Sequence, residues 1–169
     1  MNLAEKIGDQ AIILYQLFFI YNYMHFNNIY CLMMFILIFL NIIINFVTKK
    51  FFIELFKKDS FKKYNHRLPL LGSFCRPIDT KCEMLTMTGY GMPSGHSQIV
   101  SFLFAFYYFY YKNTKEFSMN IFLVYLAIAL FVMYTRYSSG MHSIQQIILG
   151  HLYGILIGYV LAKGISLVY

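Results

Sequence analysis

The chain has 169 residues, of which 59% are hydrophobic and 12% charged, with a formal net charge of +7. A soluble domain carries roughly 25% charged residues, so this composition, with a mean hydropathy of +0.57, excludes an ordinary water-soluble fold. It describes an integral membrane protein. A hydrocarbon core about 30 Å thick takes roughly 20 helical residues to cross, and several stretches are that long. In chain order, residues 1–10 are polar and residues 11–24 form a short first apolar run. Asn27 and Asn28 mark a turn, and residues 29–47 form a second span. A charged, polar loop fills residues 49–92. The third span starts near Pro93 and ends at about residue 111; Pro93 suits the first turn of a helix. The turn KNTKEFS follows, with Ser118 as the expected N-cap of a fourth span over residues 119–134. The stretch TRYSSGMHS breaks the chain again before a fifth span over residues 143–168. With no Trp, 16 Tyr and 18 Phe, Tyr is the expected interfacial aromatic, and the Met and Phe stripes read as packing.

The expected architecture is therefore all-α: one domain over residues 1–169, built as a bundle of about five transmembrane helices. No tandem repeat or low-complexity linker interrupts it. The N-terminus has no small-residue cleavage pattern of a signal peptide, so a retained first helix is expected.

If all five spans cross, the N-terminus, the 49–92 loop and the 135–142 break share one membrane face. That face is basic. Lys49, Lys50, Lys57, Lys58, Lys62, Lys63, Arg67, Arg76 and Lys81 stand against Glu54, Asp59, Asp79 and Glu83. Attraction to anionic head groups accounts for Lys57, Lys58, Lys62 and Lys63. It accounts less well for Arg76 before Pro77, or for Arg136 at the end of a span.

Arg76, Ser94, His96, Arg136 and His142 are polar residues placed at a membrane boundary, where ionisable groups are costly and functional by default. Two Arg can fork onto one oxyanion. Free N–H groups around residues 94–97 can cradle phosphate. One His can serve as nucleophile and another as general acid. This is a phosphoryl-transfer set without metal. No carboxylate lies near either His in sequence, so no metal or other cofactor is expected. His142 and His151 lie on different faces of one expected helix and make a poor metal pair.

At these residues the chain resembles the phosphatidic acid phosphatase type 2 superfamily of membrane lipid phosphatases. Its motifs are Lys-x6-Arg-Pro, Pro-Ser-Gly-His and Ser-Arg-x5-His-x3-Asp. Here Arg76-Pro77 matches the end of the first, and Pro93-Ser94-Gly95-His96 matches the second. Thr135-Arg136, five residues and His142 match the third, with Thr for Ser. The resemblance covers about residues 45–160. Two departures stand out. Pro69 occupies the place of the first-motif Lys; Lys49, at the end of the second span, is the expected substitute, with Lys50 nearly as well placed. Gln146 stands where the family has Asp. The dolichyl diphosphate subset is more similar still, with Gly-Met-Pro-Ser before the His, Ser-Gln after it and Gln at the last position.

The resemblance implies that His142 attacks phosphorus to form a phosphohistidine. His96 then protonates the leaving oxygen and assists water. Lys49, Arg76, Arg136, Ser94, Gly95 and the first-turn amides hold the phosphate. Gln146 orients the imidazole but cannot stabilise an imidazolium with a full charge. The expected substrate is a polyprenyl diphosphate, cut to the monophosphate. The alternatives are phosphatidic acid or another lipid phosphate, or a silent member that binds lipid phosphates. Expected partners are the lipid substrate and membrane lipids, not nucleic acid. The expected place is the endoplasmic reticulum membrane in a eukaryotic or viral setting, with the site facing the lumen, where Cys75 and Cys82 can form a disulfide. Cys31 reads as a buried apolar residue. Gly150, Gly154 and Gly158 continue the spacing of four from His142 and Gln146, with Ala162 beyond. Small residues so spaced let helices approach closely, either inside the bundle or between two copies in a homodimer.

Overall fold

The structure, a computed structural model, describes residues 3–55, 92–112 and 115–166. Arg76, Cys75, Cys82 and most of the 49–92 loop lie outside the described residues. Among the described residues, five helices follow one another: α1 (Leu3–Phe26), α2 (Ile29–Leu55), α3 (Gly95–Tyr111), α4 (Met119–Ser138) and α5 (Ile144–Ser166). The described residues are helical apart from short connections. Three helices among the described residues are long and apolar enough to cross a membrane: α2 over Ile29–Phe52, α4 and α5.

Several helices outrun their apolar stretches. α1 reaches back to Leu3, since Leu, Ala, Glu and Lys at positions 3–6 are good helix formers. α2 runs through Thr48, Lys49 and Lys50 to Leu55, with no Gly or Pro to stop it. The basic pair thus sits on a helix instead of a loop. α4 continues past Tyr134 to Ser138, which puts Arg136 in its last turn. Pro93 stands outside α3, not in its first turn: Ser94 is the N-cap, with extended φ −65° and ψ 114°. Ser118 is the N-cap of α4 but makes no side-chain cap bond. Its backbone N–H donates instead to Tyr107 Oη at 2.9 Å, so α3 holds the start of α4.

α3 is the central helix. Ile99, Phe102, Leu103 and Phe106 pack with Phe19, Met34, Leu37 and Ile38 of α1 and α2. On another side Val100 meets Ala11, Ala129 and Val132. In hydrocarbon a helix gains little by exchanging lipid for a neighbouring Leu, so close fit and hydrogen bonds decide which helices associate. Close fit is extreme between α3 and α5. A Cβ at Gly150 would lie 2.5 Å from the Ser94 carbonyl oxygen, and one at Gly158 would lie 2.9 Å from that of Phe102. Between them, a Cβ at Gly154 would run into the Gln98 carbonyl oxygen. Carbonyls at 94, 98 and 102 thus meet glycines at 150, 154 and 158 in rising order, so the two helices run parallel with backbones touching. The glycine stripe is filled by α3 of the same chain. This corrects the homodimer expectation, because a second copy using Gly150, Gly154 and Gly158 would have to displace α3.

Candidate active site

The site is built where α4 ends and α5 begins. Ser139 caps α4 in the αR region, and Gly140 takes φ +67°, a left-handed conformation that favours glycine. The chain therefore doubles back. The N–H groups of Met141 and His142 both donate to the Arg136 carbonyl oxygen, at 3.2 and 3.3 Å. The Arg136 guanidinium is buried, and its Nη1 lies 2.9 Å from Met141 Sδ. One turn thus delivers His142 beside Arg136, and the five-residue spacing between them is the length of that reversal.

Ser143 then opens α5 with reciprocal capping. The Gln146 N–H donates to Ser143 Oγ at 3.4 Å, and the Ser143 N–H donates to Gln146 Oε1 at 3.3 Å. The same Oε1 lies 3.1 Å from His142 Nδ1. An amide oxygen only accepts, and the Ser143 N–H marks that end of the amide as oxygen. Nδ1 therefore carries the proton, and the imidazole lone pair is on Nε2. His142 and Gln146 are both buried. Gln146 also reaches the second motif through its backbone: the Ser94 N–H donates to the Gln146 carbonyl oxygen at 3.1 Å.

Ser94 is fully buried between Gln146 and Gly150. Ser97 Oγ donates to Ser94 Oγ at 3.0 Å, and Ser94 makes no side-chain bond to its own helix end. The first turn of α3, which includes Gly95 and His96, keeps its positive end toward this corner. His96 is half-buried. Thr135, standing for the family's Ser, gives its hydroxyl to the Val132 carbonyl and is buried in α4.

α2 closes the far side. Asn45 Oδ1 lies 2.9 Å from the position of a Cβ on Gly95, so Asn45 rests on the first turn of α3. Lys49 is one turn beyond Asn45 on the same face and is half-buried. Lys50 is exposed, with Nζ 4.9 Å from the Phe46 ring centroid. Of the two, Lys49 is the one on the Asn45 face of α2. The structure thus gathers Lys49, Ser94, Gly95, His96, Arg136, His142 and Gln146 at one end of the bundle. Arg76 lies outside the described residues.

Sequence reasoning missed a polar layer beneath this corner. Gln98, fully buried, donates from Nε2 to Asn41 Oδ1 at 2.6 Å and accepts from Asn45 Nδ2 at 2.7 Å. The signal was present: Asn41, Asn45 and Lys49 recur every four residues in an otherwise apolar helix. Ser101 Oγ lies 2.6 Å from His151 Nδ1, and the His151 ring stacks on Phe104. His151 thus belongs to the α3–α5 seam.

The model of the PAP2 superfamily matches residues 26–167. A palmitoyl-protein thioesterase-dolichyl pyrophosphate phosphatase fusion from Schizosaccharomyces pombe is 34% identical over 89 residues, covering 49% of this chain and 14% of the fusion. The chain therefore spans a small part of that relative's length. No solved structure matches the chain to significance. The family match runs over most of the chain and spans His96 as well as Arg136 and His142, the pair whose spacing the turn at Gly140 explains: the chain belongs to the PAP2 superfamily.

Proposed function

We propose that this protein is a membrane lipid phosphatase that hydrolyses a polyprenyl diphosphate, of the dolichyl type, to the monophosphate. The observation that carries this reading is the 3.1 Å contact between His142 Nδ1 and Gln146 Oε1, which as a hydrogen bond donated by Nδ1 leaves the Nε2 lone pair to act as the nucleophile. Nε2 attacks the terminal phosphorus, and the bridging P–O bond breaks. The prenyl phosphate leaves, taking a proton from His96. Water then gives a proton back to His96 and attacks the phosphohistidine, releasing inorganic phosphate. Arg136, Lys49, Arg76, Ser94 and the first-turn amides at Gly95 carry the charge that develops on the phosphoryl oxygens. These cations take the role that a metal has in other phosphatases, and no step needs one.

The substrate class is supported by leaving-group chemistry. A prenyl phosphate leaves more easily than an alkoxide, so a nucleophile oriented by a neutral amide suffices for a diphosphate. It is supported too by the Schizosaccharomyces pombe relative, which is named as a dolichyl pyrophosphate phosphatase fusion. The motif resemblance to the dolichyl diphosphate subset implies the endoplasmic reticulum membrane with the site facing the lumen. Phosphate release in detergent with a chelator present tests the activity, compared across prenyl diphosphates, prenyl monophosphates and phosphatidic acid. The expected result is release from the diphosphates, with an acid-labile phosphoprotein trapped on rapid quenching. Tight binding of prenyl diphosphate with no release would instead establish a silent lipid-phosphate binder. Loss of release on chelation would overturn the metal-free step.

A further inference from the structure

The Asn41–Gln98–Asn45 cluster takes no part in the chemistry above, yet it is buried between α2 and α3. Both ends of the Gln98 amide are engaged by α2, one as donor to Asn41 and one as acceptor from Asn45. Its Nε2 also lies 3.4 Å from the Asn41 carbonyl oxygen. Around this cluster the contact between α2 and α3 is made by apolar side chains such as Ile38 and Ile99. Apolar contacts between large side chains in hydrocarbon hold a helix in one register less firmly than hydrogen bonds do. The amides fix the register, because a slip of α2 by one turn, about 5.4 Å, leaves one Asn where two now flank Gln98, and one end of the buried Gln98 amide unmade.

The register matters for one residue above all. Asn41, Asn45 and Lys49 form one row on α2, and Asn45 rests on Gly95 at the start of α3. Whatever fixes Asn45 therefore fixes the height and direction of Lys49 over the phosphate corner. We propose that Gln98 is a positioning residue, which with Asn41 and Asn45 locks α2 against α3 so that Lys49 reaches the phosphate. This rests on the reading of Lys49 as a phosphate ligand.

A double-mutant cycle tests it. Gln98→Leu, Lys49→Met and the double variant are each purified in detergent, and kcat and KM are measured with farnesyl diphosphate. The expected loss in kcat/KM for Gln98→Leu is about tenfold, the size of one buried hydrogen bond. In the Lys49→Met background the same change should cost less than about twofold, since strong coupling marks residues that act through one another. Equal losses in both backgrounds would overturn the proposal, because a general packing role is independent of Lys49. If Gln98→Leu does not fold, Asn45→Ala breaks the same bond from α2, and its two losses are read in the same way. Wild-type kcat/KM in Lys49→Met would refute the reading of Lys49 itself, and the positioning role with it.

Discussion

Two seams of this bundle are built on opposite plans. Between α3 and α5 the backbones touch through Gly150, Gly154 and Gly158, and Ser94 is hydrogen-bonded to Gln146 across the gap. Between α1 and α4 lies an apolar groove of about 820 Å³, lined by side chains that include Ala11, Tyr15, Phe18, Val124, Ile128 and Val132. Hydrophobicity is shared by both seams and cannot be what separates them. The first seam carries the proposed catalytic corner, with His96 on one helix and Gln146 on the other. Misplacing reacting groups by about 1 Å can cost on the order of a hundredfold in rate. The second seam ends near Arg136 but joins no two residues of the corner. Close backbone packing is found where two helices must share one site.

The sharpest contrast is chemical. His142→Ala should abolish turnover, while Val124→Ala in the groove should leave it intact, both read as phosphate release from a prenyl diphosphate. Arg136→Ala should cost about a hundredfold or more in kcat, by removing charge stabilisation from the transition state. It should also loosen the turn that holds His142, since Arg136 is buried against Met141. Full activity in His142→Ala would sink the mechanism and the contrast together.

Packing gives the next test. Gly154→Ala places a Cβ against the backbone of Gln98, and no side-chain rotation relieves it. Overpacking of this kind costs about 1–3 kcal/mol, and here it also separates the two halves of the site. A lower unfolding temperature in detergent and at least about a tenfold loss of kcat/KM are expected, the latter from displaced catalytic groups. Gly164, further along α5, has nothing within 4 Å of an added Cβ. Gly164→Ala should gain roughly 0.8–1.0 kcal/mol of helix propensity and leave kcat/KM unchanged. Equal behaviour of the two variants would show that the glycine stripe is no closer than ordinary helix packing.

How much of this was legible follows from what each feature depends on. The helices were readable because hydropathy reports the solvent around each stretch. Their ends were not, since Glu, Lys and Arg continue a helix beyond the hydrocarbon as readily as they end it; α2 running on through Lys49 and Lys50 is the example. The turn that joins Arg136 to His142 was readable, because local spacing encodes a local turn. The Gln98 amide network was not, because its partners lie 53 and 57 residues away in the chain. The choice between Lys49 and Lys50 depends on which face of α2 meets α3, and only the packing shows that. Gln146 was readable as a partner of His142, but its part in capping α5 with Ser143 was overlooked.

That capping role changes how Gln146 should be tested, and the expected effect is the smallest of the set. Restoring the family's residue by Gln146→Asp supplies a charge, yet it shortens the side chain by one methylene. Its carboxylate would then serve either the Ser143 N–H or His142, whereas Oε1 now serves both. Gln146→Glu keeps the reach and the cap while adding the charge. A carboxylate beside the imidazole stabilises its protonated form, which strengthens the nucleophile and should help most where the leaving group is poorest. Glu is therefore expected to raise kcat/KM for a prenyl monophosphate relative to the diphosphate by about tenfold or less, in line with one unit of basicity. Asp should raise the ratio less and lower the unfolding temperature, because a lost cap costs roughly 1 kcal/mol. The ratio of kcat/KM values is the proper readout, since it compares transition states for two substrates in one protein. A ratio unmoved by both substitutions would mean that Gln146 holds the α3–α5 seam together but does not choose the substrate.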